Sequence, residues 1–324
     1  MAAFLTLFRD VSKAALYRQG RCSKLTDGKF MSLTLDECVS APLELYHYPV
    51  STASQQVRLA LVEKKLGWTG YTVNLLRGDN LDPAYMRLNG AGVVPTLVHD
   101  GAVITNAAVI MAYVDETFEG PSLTDGDLDL IEAWIKAADE VPVRVLTYGL
   151  RKGFLGAVAR RAIIWKQRLA RKYRKRNPDL RTAYATKLED LAAWRAELKD
   201  RDTLAEAQVA LEAALEEVER TLSRTSWLAG EAYTLADTAW TPVFVRLEGL
   251  GLDRLWSSER RPHIASYIDR LKARESFEKA ITDYSQPRLL RRQMWDALWR
   301  HEGLRFTLGA ALVVALGLAA TLLG

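Results

Sequence analysis

Between residues 43 and 119 the chain alternates strand-like and helix-like patterns, and this alternation restricts the fold more than any other feature. A strand pattern, LELYHY, precedes a helical stripe at 51–67 that starts with small hydroxyl residues and closes on a glycine suited to a helix C-cap. A second strand pattern (YTVNLL), a short helix pattern (PAYMRLN) and two strands joined across an Asp-Gly turn follow. A last helix at about 106–117 completes the order βαβαββα, which predicts an α/β domain over 43–119.

From residue 124 onward the sequence shows helical periodicity, and we predict a second, all-helical domain over 124–287. Its predicted helices cover 126–149, 154–175, 180–222, 234–249, 261–273 and 275–284. Two cysteines (Cys22 and Cys38) and four scattered histidines provide neither a disulfide framework nor grouped metal ligands. We therefore expect no metal and a reducing, cytosol-facing environment.

A basic insertion at about 151–181 lies inside the helical domain. It holds twelve Lys or Arg and one acid, Asp179, although the net charge of the whole chain is only +4. One interpretation is a solvated helix face, and another is contact with an anionic lipid surface, where each cation contributes about 1 kcal/mol. Nucleic acid is not an expected partner, because aromatic residues are few and no nucleic-acid-binding fold surrounds them.

The last nineteen residues, 306–324, contain no charged side chain. As a helix they span roughly 28 Å, the thickness of a bilayer core. A juxtamembrane segment at 288–305 carries arginines together with Trp295 and Trp299, and such flanks favour the cytosolic side of a membrane. We predict a transmembrane tail anchor with the folded domains facing the cytosol. The sequence leaves the target organelle open.

Residues 1–42 form a leader whose first thirty residues are rich in Arg and Lys, with only two acids. Three interpretations fit this composition: a targeting peptide, a disordered leader, or translation from Met31.

Two further motifs suggest a family. Val94–Pro95 leads the first strand of the hairpin in the α/β domain, and the segment WLAGEAYTLADTAWTPVF (227–244) carries Thr234 and Asp237 at the spacing of a capping box. Together they resemble the cytosolic glutathione transferases. The resemblance implies a thioredoxin-like N-terminal domain, a cis Val94–Pro95 bond that holds the cysteinyl backbone of glutathione, and an all-helical C-terminal domain.

More narrowly, the stretches LYHYPVSTASQQVRLALVEK and NLLRGDNLDPAYMRLN resemble the plant TCHQD class of this family. The basic insertion and the apolar tail are also similar to the ganglioside-induced differentiation-associated proteins, a membrane-anchored branch.

The resemblance implies that Ser51, beside Thr52, activates the thiol of glutathione. The alternative is that Ser51 only caps its helix, which serine does well.

Asn106 and Ala107 stand where the family usually has an acidic or amide residue and a hydroxyl that bind the γ-glutamyl end of glutathione. We expect weakened glutathione binding there, and loss of binding is the open alternative. Ala53 stands where some relatives carry a cysteine, so cysteine-based exchange is not expected.

Two functions follow from this resemblance. The first is a membrane-tethered, serine-type glutathione transferase that conjugates hydrophobic electrophiles or reduces peroxides, a detoxification role with glutathione as co-substrate. The second is a non-catalytic, transferase-fold protein that binds ligands or organises membranes. Proteins of this fold usually form homodimers, which the insertion and the anchor could prevent.

Overall fold

The computed structural model describes residues 23–26, 29–32, 42–150, 153–198 and 200–300. Two short antiparallel strands, β1 (Ser23–Thr26) and β2 (Lys29–Ser32), lie within the predicted leader. Residues 1–22, 27–28 and 33–41 of the leader, which include both cysteines, lie outside the described residues. The predicted tail anchor, 306–324, lies outside them as well.

The N-terminal domain has the predicted order of elements. It comprises β3 (Leu43–His47), α1 (Thr52–Glu63), β4 (Thr69–Thr72), α2 (Pro83–Leu88), β5 (Thr96–His99), β6 (Ala102–Thr105) and α3 (Ala107–Thr117). The four strands form one mixed sheet in the order β4-β3-β5-β6, in which β3 is parallel to β4 and antiparallel to β5. This thioredoxin-like arrangement confirms the predicted α/β domain.

Alternate side chains of β3 are buried, as a strand with one core-facing side requires. Leu45 on β3 and Leu97 on β5 join the same hydrophobic core as Val57 of α1 and Ile110 of α3. That core continues into the C-terminal domain, where it includes Trp240. The two domains therefore share one buried apolar interior.

Two predicted boundaries in this domain are wrong. Helix α1 ends at Glu63, and its left-handed residue is Lys65 (φ 58°), so Gly67 is not the C-cap. Strand β4 ends at Thr72 and does not reach Leu76, because the Asn74 side-chain oxygen accepts from the N–H groups of Leu76 and Arg77. Such an Asx turn bends the chain away from the sheet.

Helices are the regular secondary structure of the C-terminal domain, and its described residues include no strand, as predicted. Its helices are α4 (Leu128–Glu140), α5 (Val143–Gly149), α6 (Gly153–Arg176), α7 (Arg181–Glu197), α8 (Arg201–Leu222), α9 (Leu235–Glu248), α10 (Pro262–Lys272), α11 (Glu275–Phe277) and α12 (Pro287–Arg300), with a π-helical turn at Glu278–Thr282. Helix α6 is the core of the basic insertion.

Two long helices predicted in this domain are each divided. The span 126–149 breaks at Val141, which is extended because a residue before proline disfavours helical geometry. The span 180–222 ends at Glu197 and restarts at Arg201 after Asp200, whose carboxylate accepts from the N–H of Asp202 as an N-cap.

The capping box predicted at the start of α9 is confirmed. Thr234 is the N-cap, and an Asp237 carboxylate oxygen accepts from the Thr234 N–H at 2.9 Å. The other oxygen accepts from the Leu228 N–H and from the Tyr267 hydroxyl. Asp237 therefore ties three segments of the C-terminal domain together.

Among the helices of the described ranges, none has both the length and the apolar character needed to cross a membrane.

Candidate active site

The strand register brings the predicted site residues to one edge of the sheet. Tyr46, Thr96 and Thr105 lie in one row across β3, β5 and β6. Ser51 follows β3 beyond this row, Val94–Pro95 precedes β5, and Asn106 follows β6. The Val94–Pro95 peptide bond is cis, which confirms the prediction.

Ser51 is the N-cap of α1, and its half-buried hydroxyl oxygen accepts from the N–H of Ser54 at 3.3 Å. Within the described part of the chain, the N–H groups of Thr52 and Ala53 donate to no protein acceptor. The first turn contains no acidic side chain. The positive end of the helix and two available N–H groups therefore surround the serine, an arrangement that stabilises a bound anion.

Two arginines hold the turn that presents Ser51. Arg58 of α1 donates to the carbonyl of Pro49 at 2.7 Å. Arg246 of α9 donates to the carbonyl of Val50 from the other domain. The conformation ahead of Ser51 thus depends on contacts from both domains, and neither arginine was among the predicted site residues. The sequence signal for Arg58 is a charge within the otherwise apolar run VRLAL of the helix predicted at 51–67.

The guanidinium of Arg58 is completely buried. It also donates to the carbonyl of Ala280 at 2.8 Å and lies 4.2 Å from the centre of the Tyr284 ring. Its remaining partner is Nδ1 of His47, at 3.1 Å. Since a guanidinium can only donate, Nδ1 must accept, and the His47 ring is neutral. Burial lowers the pKa of Arg58 to about 10, so it stays charged near neutral pH.

We expect His47 to make the folded state sensitive to acid. Burial, together with the charge of Arg58, lowers the pKa of His47 to about 3, against 6.5 for an ordinary histidine. The unfolded chain therefore binds one more proton between these values, and the free energy of unfolding should fall by up to about 1.4 kcal/mol per pH unit as the pH drops below 6.5.

The measurement is urea unfolding of the wild type and His47→Gln at several pH values between 7 and 4. The difference in stability between the two proteins should narrow as the pH falls, because glutamine can accept from Arg58 without titrating. Parallel curves would contradict the assignment.

A polar cluster fixes the segment ahead of Pro95. The carbonyl of Val93 accepts from the Tyr85 hydroxyl at 2.5 Å and from the Asn89 amide at 3.0 Å. Both side chains also bond to the Thr96 hydroxyl. In the described ranges, no protein group bonds to the backbone N–H or C=O of the adjoining Val94. Those two groups are therefore available to an extended peptide, and Tyr85 and Asn89 are supporting residues that the sequence did not indicate.

Asn106 has an unusual backbone, with φ 72° and ψ 126°, and it is the N-cap of α3. Its side-chain oxygen accepts from the N–H groups of Ala108 (2.9 Å) and Val109 (3.3 Å). Ala107 is 8% exposed and packs in the core, and in the described part of the chain its own N–H has no protein acceptor. The oxygen of Asn106 thus serves its own helix, while one helix-end N–H remains for a carboxylate.

Two substitutions of Asn106 distinguish the contribution of its side-chain cap from that of its positive φ angle. Asn106→Ala should destabilise the chain by about 2 kcal/mol, because the cap is lost and alanine is strained at positive φ. Asn106→Gly should cost clearly less, because glycine adopts positive φ readily and caps helices tolerably. Thermal unfolding of both variants tests this order, and an alanine variant as stable as the glycine variant would contradict it.

A two-domain chain with a thioredoxin-like sheet, a cis X–Pro bond and a serine at the start of the first helix has the architecture of a glutathione transferase. The family models for the N-terminal and C-terminal domains of glutathione S-transferases match residues 45–122 and 188–270. The basic insertion lies between the two matched regions. Two curated relatives exceed 30% identity and are matched over nine tenths or more of their length. The chain belongs to the glutathione S-transferase family.

The first relative, a tetrachloro-p-hydroquinone reductive dehalogenase of Sphingobium chlorophenolicum, is 33% identical over 74% of this chain and 95% of its own. The second, glutathione S-transferase TCHQD of Arabidopsis thaliana, is 31% identical over 75% of this chain and 90% of its own. The human ganglioside-induced differentiation-associated protein 1-like 1 is 27% identical over 74% of each chain. These matches confirm the narrower resemblances as well.

Among solved structures, the β-etherase LigF of a Sphingobium strain superposes with a TM-score of 0.59 over 74% of this chain and 99% of its own, at 23% identity. Glutathione transferase F2 of Populus trichocarpa superposes with a TM-score of 0.55 over 75% of this chain and 99% of its own, at 19% identity. At these identities the superpositions establish the shared fold.

Proposed function

We propose that this chain is a serine-type glutathione transferase that conjugates hydrophobic electrophiles. The observation that carries the proposal is the start of α1, where the Ser51 hydroxyl and the N–H groups of Thr52 and Ala53 meet at the same sheet edge as Val94. Family membership supports glutathione as the co-substrate, and one relative is by its name a glutathione S-transferase.

In the proposed reaction the protein supplies an environment and no covalent nucleophile. The backbone of Val94 pairs with the cysteinyl backbone of glutathione and places its sulfur at the start of α1. There the Ser51 hydroxyl donates to the sulfur, and the helix end favours thiolate over thiol, so that the thiol proton passes to water. The thiolate then attacks an electrophilic carbon, a carbon–sulfur bond forms, and the leaving group departs with the bonding electron pair.

The test is conjugation of glutathione to an activated chloronitrobenzene by the full chain, its Ser51→Ala variant and a matched Ser258→Ala control at an exposed serine. Loss of the hydroxyl should lower kcat/KM at neutral pH by about tenfold to a hundredfold and move the pH profile to higher pH, because one hydrogen bond to the thiolate is lost. An alanine variant with unchanged activity and pH profile would leave Ser51 as a helix cap only.

The contacts of Asn106 favour a second candidate, a transferase-fold protein that binds its ligand without conjugating it. Its side-chain oxygen is used inside α3, and Ala107 offers no hydroxyl to a γ-glutamyl group. A wild type that neither conjugates nor binds immobilised glutathione would favour this candidate. Asn106→Glu combined with Ala107→Ser should then restore binding.

We further propose that residues 306–324 tether the chain to a membrane with its folded domains in the cytosol. The proposal rests on the uncharged run in the sequence and on the arginines that precede it. A fluorescent protein carrying only the last forty residues should localise to a membrane, and a diffuse signal would reject the anchor.

A further inference from the structure

The basic insertion carries an uncompensated positive surface. It consists of exposed Arg and Lys side chains of α6 and the first residue of α7, which we call the basic surface: Arg161, Arg168, Arg171, Lys172, Arg174, Lys175, Arg176 and Arg181. Across the described residues, none of these eight forms an ion pair. The one acid within 161–181, Asp179, pairs with Arg87 at 2.9 Å.

Three of these cations line an open cavity at the junction of α6 and α7. Arg174, Lys175 and Arg181, with Ala185, line this solvent-open space of about 410 Å³. No carboxylate lines this cavity, so the three positive charges repel one another unless an anion lies between them. A phosphate group has the charge and the acceptor oxygens that such a cluster binds.

The basic surface is not needed to hold its own helices in place. Ile163 and Ala170 of α6 and Tyr184 of α7 are buried, and the Tyr184 hydroxyl donates to the carbonyl of Leu81 at 2.8 Å. Trp165 packs against Gly78, where a Cβ would lie 2.7 Å from the indole. The apolar side of α6 thus docks on the N-terminal domain, and the charged side is left to solvent.

The loop at 74–81 connects this surface to the helix that leads toward the predicted anchor. Within the loop, Gly78 contacts Trp165 of α6. At the start of the loop, the Asn74 side-chain amide donates to the carbonyl of Gln293 in α12 at 2.9 Å. Helix α12 adds exposed Arg288, Arg291 and Arg292, as well as Trp295, which is 56% exposed. Arginines beside an exposed tryptophan suit the headgroup region of a bilayer.

We propose that the basic surface docks on an anionic phospholipid bilayer, with a lipid phosphate in the cavity formed by Arg174, Lys175 and Arg181. The described aromatic side chains of α6 are not free to stack on nucleic acid bases, since Trp165 packs on Gly78 and Tyr173 lies against Tyr184. Docking would hold the sheet edge with Ser51 in a defined position relative to the lipid. This inference is independent of the glutathione reaction and adds a lipid ligand to the protein.

The experiment uses the full chain reconstituted into vesicles, so that every sample contains the apolar tail. Hydrogen–deuterium exchange over residues 161–190 is compared between vesicles of phosphatidylcholine alone and vesicles with about 20 mol% phosphatidic acid. The test variant is Arg174→Gln/Lys175→Gln/Arg181→Gln. A matched control, Lys65→Gln/Arg224→Gln/Arg254→Gln, removes three exposed cations from other elements.

Exchange of wild type and control should slow in the anionic vesicles, and the slowing should fade in about 0.5 M salt. The triple variant should lose the slowing. Each cation near the headgroups raises the affinity for an anionic membrane roughly fivefold, so the loss of three cations lowers that affinity about a hundredfold. Equal exchange in both vesicles, or equal slowing in the triple variant, would overturn the proposal. Equal slowing by dissolved inorganic phosphate or by a short RNA duplex, in neutral vesicles, would reassign the surface and also overturn it.

Discussion

Replacing Asp237 by alanine should destabilise the folded chain by about 4 kcal/mol, because several buried donors would lose their acceptor at once. The carboxylate accepts from the N–H groups of Leu228 and Thr234 and from the hydroxyl of Tyr267. All four residues are buried, so water cannot replace the lost acceptor. A typical domain is stable by only 5–15 kcal/mol, so this loss removes a large share of the total.

Urea unfolding of the full chain measures this effect, and Asp269→Ala, at an exposed position on α10, is the matched control. The control should change the free energy of unfolding by less than about 0.5 kcal/mol. Thr234→Ala, which removes only the capping hydroxyl, should cost about 1 kcal/mol. A loss below 1 kcal/mol for Asp237→Ala would show that these segments are held together by apolar packing alone.

Replacing Arg58 by methionine is expected to have a comparable effect, about 4 kcal/mol, although methionine fills similar space. The carbonyls of Pro49 and Ala280 and Nδ1 of His47 would remain buried without a donor. The loss differs from that of a surface arginine, whose partners can turn to water. Arg254→Met, at an exposed position, is the control and should be nearly neutral.

Arg58→Met should also affect the turn ahead of Ser51, because one of its two arginine contacts is lost. Arg58→Lys keeps the charge but lacks the planar fork that reaches several acceptors, so it should recover only part of the stability. Equal stability of the methionine variant and the wild type in urea would contradict the importance of this buried cation.

The sequence was sufficient for features that depend on neighbouring residues. The order βαβαββα follows from apolar periodicity and turn residues, and the capping box at Thr234 and Asp237 spans only three positions. The cis Val94–Pro95 bond was predicted through the family resemblance and is present. The boundaries of strands and helices were less predictable. Asn74 ends β4 and Pro142 divides a predicted helix through local backbone geometry, which apolar periodicity does not report.

The supporting contacts of the site could not be read in the same way. Arg58 reaches Ala280 and Arg246 reaches Val50, across separations of about two hundred residues. Periodicity indicates that a side chain is buried and does not identify its partner. The same holds for Tyr85 and Asn89, whose side chains meet at the Val93 carbonyl and the Thr96 hydroxyl only in the folded chain.

By itself, the sequence determined the class of fold, the position of Ser51 at the start of the first helix of the α/β domain, and the presence of a strongly basic helix. The tertiary structure alone decided that two arginines from different domains hold the turn before Ser51, and that the basic helix and α12 contact the same loop. The physical reason is that local patterns set secondary structure, whereas hydrogen bonds to buried carbonyls are satisfied by whichever distant side chain the packing brings within reach.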